Sequence, residues 1–91
     1  EVANHAHLGY WYNSAIYYAR SDDGLTSFRN GNNTVITDGA NGTSVVTNVT
    51  TEQSPAISLD AAGVLRISYL DNSSILRHKK STDLGKSWTS I

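Results

Sequence analysis

The 91-residue chain has no cysteine, no methionine, a single proline and only 16% charged residues, with a net charge of −1. The lack of cysteine excludes disulfides and thiolate metal sites, so packed apolar surface must hold the fold. Seven Lys and Arg stand against eight Asp and Glu. No basic stripe is left to track a phosphate backbone, and nucleic acid is not an expected partner. No apolar run approaches the roughly 20 residues that span a bilayer as a helix, so no membrane partner is expected either. No signal peptide is legible, and the start at Glu1 is compatible with a processed or truncated chain. The compartment is left open, with an extracellular or secreted setting preferred.

What the chain does have is Ser, Thr and Asn in abundance, and apolar residues in short alternating runs. Four Asn-x-Ser/Thr sequons, at Asn32, Asn41, Asn48 and Asn72, are compatible with chance in such a composition. Residues Asn4 to Tyr12 alternate Ala6, Leu8, Tyr10 and Tyr12 with His5, His7, Gly9 and Trp11, which predicts a strand. Asn13-Ser14 predicts a tight turn, and Ala15 to Arg20 the return strand. A strand is expected to open at Phe28, break at Asn30-Gly31-Asn32-Asn33 and resume over Thr34 to Thr37. Ser44 to Thr50, with Val45, Val46 and Val49, reads equally as a short strand or an extended connection. From Pro55 a regular unit follows: strands at Ala56–Leu59, Val64–Leu70, Ile75–Lys80 and Ser87–Ile91, with turns at Asp60-Ala61-Ala62-Gly63 and Asp71-Asn72-Ser73-Ser74.

The stretch Ser81-Thr82-Asp83-Leu84-Gly85-Lys86-Ser87-Trp88 has the spacing Ser-x-Asp-x-Gly-x-Ser-Trp. Each kept residue has a mechanical job. Asp83 can accept bonds from backbone N–H groups a few residues on. Gly85 supplies a positive φ, and Trp88 brings apolar surface to the next strand. A worn copy lies 81 − 21 = 60 residues earlier, at Ser21-Asp22-Asp23-Gly24-Leu25-Thr26-Ser27-Phe28. Its Ser21, Asp23, Ser27 and Phe28 match, while Leu25 replaces the expected glycine. Overlaying the two units pairs Ile67-Ser68-Tyr69-Leu70 with Leu8-Gly9-Tyr10-Trp11, and Ser74-Ile75-Leu76 with Ser14-Ala15-Ile16, with one extra residue in the later turn.

On these residues the chain resembles the Asp-box, or BNR, repeats of sialidase-like β-propellers over most of its length except about residues 30–53. The resemblance implies an all-β fold of four-stranded antiparallel up-and-down blades. Residues 1–42 form a first, incomplete blade, 43–53 a connection or extra strand, and 54–91 a second, complete blade. The first unit begins at its second strand, so roughly seven blade strands are expected. A neighbouring copy or the Val45–Val49 segment would supply the missing one. Propellers close with roughly 4–8 blades, so a homo-oligomeric ring of three or four copies is expected.

In such a blade the Asp-box turns share one end of the sheet. The other end gathers Trp11, Tyr12, Asn13, Asp71, Asn72 and Ser73, the candidate ligand site. Aromatic faces beside amides and a carboxylate suit a glycan. The competing reading has Trp11 in the core and Asp71 and Asn72 serving turns. Ser21, Asp23, Ser27, Phe28, Ser81, Asp83, Gly85, Ser87 and Trp88 are assigned to structure. His5 and His7 share a strand face but lack a third ligand, so no metal or cofactor is expected. Sialidase-like enzymes would need an arginine cluster, a tyrosine–glutamate pair, an aspartate and an Arg-Ile-Pro motif. The only proline here, Pro55, follows Ser54, and the only glutamates are Glu1 and Glu52. No carboxylate pair facing one cleft is legible. The expectation is a non-catalytic, lectin-like module, with a structural repeat unit lacking a ligand, or a piece of a glycosidase, as alternatives.

Overall fold

Short alternating strands punctuated by turn residues organise the chain as two antiparallel sheets, seen in a computed structural model that describes residues 6–22 and 26–90. The first sheet contains β1 (Ala6–Tyr12), β2 (Ala15–Ser21) and β3 (Thr43–Thr47), in the order β1-β2-β3. Asn13 (φ 48°) and Ser14 (φ 65°) form a two-residue hairpin loop whose twist matches that of the strands. The second sheet is a four-stranded meander, β4 (Ala56–Leu59), β5 (Leu65–Leu70), β6 (Leu76–Ser81) and β7 (Thr89–Ser90), paired in chain order. The last strand begins two residues later than expected, and Ile91 lies outside the described residues.

The segment after Phe28 departs from expectation. It makes isolated bridges, Arg20 to Arg29 and Arg29 to Val35, and no strand. Asn30 is the cause. Its Oδ1 accepts from the Asn32 and Thr34 N–H groups, which turns the chain back on itself within five residues. Beyond the Arg20–Arg29 bridge, the edge of β2 from Tyr18 to Ala15 is taken by β3. There Val46 lies opposite Ile16 and Ser44 opposite Tyr17, so Val45 is the extra residue of a bulge. The bulge lets two consecutive valines reach the core: Val45 is buried in it and Val46 packs against it. The Ser44–Thr50 segment is thus a strand as far as Thr47 and a connection beyond it. Because β3 pairs with β2, it does not supply a partner for the other edge of β1.

One face of each sheet meets the other. Ile16 and Tyr18 of β2 join Leu65, Ile67 and Tyr69 of β5, with Val45 and Val49 alongside and Trp11, Ile57, Leu59 and Trp88 packed around them. Ile16, Tyr18, Leu65 and Ile67 are fully buried, each worth roughly 1.5–3 kcal/mol of removed apolar surface. At Gly9 the sheets approach closely on the β1 side: a Cβ there would stand 3.3 Å from Ile67 Cδ1.

The two central hairpins are the same object twice. In β1–β2, Ala6 faces Ser21, Gly9 faces Tyr18 and Trp11 faces Ile16. In β5–β6, Leu65 faces Ser81, Ser68 faces His78 and Leu70 faces Leu76. First strands are offset by 65 − 6 = 59 and second strands by 81 − 21 = 60 residues, the difference being the extra residue in the later turn. Ser21 and Ser81, which close the two hairpins, are the buried polar residues among those described.

Candidate functional site

The six residues singled out as a ligand site do gather at one end of the sheets, but most of their polar atoms are spent on the chain itself. Trp11, half-buried, donates its indole N–H to the Val49 carbonyl at 2.7 Å. Asn72 donates through Nδ2 to the Asn48 carbonyl at 2.7 Å. Its Oδ1 accepts from the Thr50 N–H and hydroxyl, at 2.9 and 3.0 Å. Between them the Val49 N–H donates to the Ser14 carbonyl. Trp11 from the first sheet and Asn72 from the second thus clamp the Asn48–Thr50 connector from two sides. Gln53, which the sequence did not flag, adds a similar bond set. Its amide accepts from the Leu70 N–H and donates to the Leu70 carbonyl, both at 2.8 Å, as a neighbouring peptide would.

Asp71 is equally occupied. One oxygen accepts from the Ser73 and Ile75 N–H groups, and the other from Arg77 at 2.8 Å. Asp60 repeats this: Ala62 and Val64 N–H groups on one oxygen, Arg66 on the other at 2.6 Å. Asn30 makes the same five-residue turn, so one device recurs three times. In each the fourth residue takes positive φ: Asn33, Gly63 and Ser74, at 67°, 83° and 61°. The bonded arginine, followed by the backbone donors, holds the carboxyls of Asp60 and Asp71 below their ordinary range. Ser73 is exposed and contributes its N–H to this turn. Tyr12 and Asn13 are left facing solvent, Tyr12 at 41% exposure. Tyr12 stands tilted against Tyr17, which in turn stacks on Tyr10 at 5.5 Å. The Tyr10 hydroxyl donates to the Gly39 carbonyl at 2.6 Å, and burial raises its pKa.

At the opposite end the Ser81–Trp88 turn is tied from within. The Ser81 hydroxyl donates to Asp83 at 2.7 Å and accepts from the Gly85 N–H at 2.9 Å. Asp83 then accepts from the Ser87 hydroxyl at 2.6 Å and its N–H at 3.0 Å. These bonds, the Ser87 hydroxyl first, pull the Asp83 carboxyl down to about 2. Gly85 has φ +89°, and a Cβ there would collide with the Tyr18 ring. A Cβ on Gly31 would collide with the Gly85–Lys86 backbone, so the first sheet's long loop rests directly on this turn. Trp88 packs against Tyr18 with ring centroids 5.5 Å apart. Its indole nitrogen is the one buried side-chain polar atom without a hydrogen-bond partner among the described residues.

In the earlier copy, Asp23 lies outside the described residues, as does His5. Ser21 is buried, and Ser27 and Phe28 are half-buried. His7 Nδ1 lies 2.7 Å from the Tyr18 hydroxyl. His78 lies on the outer face of β6, 2.9 Å from the Ser68 hydroxyl. Among the described residues no group of three or more His, Cys, Asp or Glu side chains is placed to hold a metal ion. No helix there is long and apolar enough to cross a membrane. An open apolar pocket of about 200 Å³ lies on the outer face of the first sheet, lined by Leu8, Tyr10, Ala19, Phe28, Ile36 and Gly39. No protein-family model, curated protein or solved structure matches the chain.

Proposed function

We propose that the chain is a non-catalytic structural module: two successive blades of an Asp-box β-propeller of the sialidase-like kind, whose ring is completed by further copies. Residues 1–42 are the incomplete blade, 43–53 the segment that adds β3 to it and then connects, and 54–91 the complete one. The observation that supports this best is the shared register of the two hairpins, each closed by a buried serine. A repeat of this kind cannot cover its own two outer faces, and stacking is what buries them. Three of the eight carboxylates are tied into turns and are not poised as a glycosidase acid. A glycosidase acid needs its pKa raised, whereas Asp60, Asp71 and Asp83 are all shifted down by turn hydrogen bonds. Electron microscopy of the purified chain tests the reading. Closed rings are expected, three copies giving six blades at two sheets per chain, or four giving eight. Particles without a closed ring would sink it, and turnover of a fluorogenic sialoside would sink the non-catalytic part.

Glycan binding is the second reading, supported by the exposed Tyr12 ring beside Asn13 at the loop end. Each site would be weak and gain from repetition around the ring. On a glycan array, hits lost in Tyr12→Ala but kept in Asp71→Asn would place a sugar there. A blank array leaves the scaffold role alone.

A further inference from the structure

Each sheet of the chain keeps one face turned outward, and the repeat relates those faces to the pair already in contact. Inside the chain, Gly9, Ile16 and Tyr18 of the first sheet cover Leu65, Ile67 and Tyr69 of the second. By the shared register, Leu8 and Tyr10 hold in the first sheet the places of Ile67 and Tyr69. Yet Ile67 is fully buried and Leu8 is 42% exposed. In the other direction, Ser68, Leu76 and His78 hold the places of Gly9, Ile16 and Tyr18. Ile16 is fully buried while Leu76 is 58% exposed. Each outward face is therefore the counterpart of a covered face; on the first sheet the 39–42 turn lies over Tyr10, Tyr12 and Tyr17, which leaves the part around Leu8 and Phe28 open.

We infer that a second copy of this chain docks its outer β5–β6 face, around Ser68 and His78, onto the outer β1–β2 face, around Leu8 and Phe28, of the first. The contact would repeat between chains the packing of sheet on sheet within one. Two correspondences make the docking specific. Gly9 approaches Ile67 inside the chain, which translates into Ser68 of one copy approaching Leu8 of the next, a small residue again facing a branched one. Tyr18 packs on Trp88, which translates into His78 packing on Phe28, by the 60-residue offset. Phe28 and Leu8 line the apolar pocket of about 200 Å³, which gives an incoming side chain somewhere to go. Two different patches meet, so the contact is head-to-tail and propagates until it closes. The inference rests on the proposed reading of the chain as a two-blade repeat.

The absence of cysteine makes the test clean. Leu8→Cys and Ser68→Cys chains are mixed and treated with a short thiol-to-thiol cross-linker. A covalent two-chain product is expected from the mixture and from neither variant alone. In light scattering, Leu8→Arg and Leu76→Arg each block one face and are expected at the mass of one chain. Mixed, they should reach twice that mass and stop, because the intact face of each finds the intact face of the other. Far-UV circular dichroism checks the arginine variants, and if either has lost its sheet signal the cysteine pair decides. A wild-type monomer, assembly of Leu76→Arg alone, or cross-linking of Leu8→Cys to itself would overturn the inference. Cross-linking without closed rings would uphold the docking and sink the ring, whereas rings without that cross-link would do the reverse.

Discussion

Gly63 and Gly85 both have positive φ, at 83° and 89°, but only one of them is also crowded. A Cβ on Gly63 meets nothing within 4 Å, so Gly63→Ala is a pure backbone substitution, expected to cost about 1–2 kcal/mol. Gly85→Ala adds a collision with Tyr18, a buried ring that cannot step aside, and is expected to cost more. Paired thermal melts check the order, and equal losses would contradict it. The two tryptophans make a similar contrast. Trp11→Phe removes a hydrogen bond to Val49, whereas Trp88→Phe removes an indole N–H that has no partner. Denaturant titration should show Trp11→Phe as the costlier change by about 1–2 kcal/mol. Acid should act through Asp83. Its folded pKa of about 2 lies below an unfolded value near ~3.9, so its stabilisation is full above that value and lost as pH falls toward the folded one. Asp83→Asn should lower the melting temperature at pH 7 and flatten its decline below about pH 4.

The connector 48–50 is the element on which the two sheets depend, because it is bonded by both. Asn72→Ala removes three side-chain bonds to it and is expected to destabilise by about 1–2 kcal/mol. Combined with Trp11→Phe, the losses should fall short of additive, since either change frees the same segment. A double-mutant cycle measures this, and strict additivity would mean that the clamp is two unrelated contacts. Turns and hairpins were legible in the sequence because their chemistry is local: Asn13-Ser14, Asp60–Gly63 and Asp71–Ser74 act on residues within five positions. The long loop was not. Whether Phe28 starts a strand depends on who else competes for the edge of β2: Arg29 holds only the place opposite Arg20, and the rest goes to β3, some fifteen residues later, with a bulge that no alternation pattern announces. The gathering of Trp11, Asn72 and their neighbours at one end followed from strand order. Their use as a clamp did not, since the partners are backbone carbonyls of a connector without a periodicity of its own.

At the scale of the whole molecule, the sheets are joined at both ends and along the middle. The clamp on residues 48–50 closes one end, and Gly31 against the Gly85–Lys86 backbone closes the other. Between these lies a core of residues drawn from both sheets. The sheets should therefore unfold together, with far-UV and near-UV signals coinciding in a denaturant titration. Early loss of one sheet would contradict the joint core. The placement of the two tryptophans gives the molecule built-in optical probes. Trp11 sits beside a carbonyl at the clamp, and Trp88 against Tyr18 on the way to the other end. Emission from a Trp11→Phe chain would report only the second environment, and from a Trp88→Phe chain only the first. Two single-tryptophan proteins thus read out separately how water enters the interface from each side.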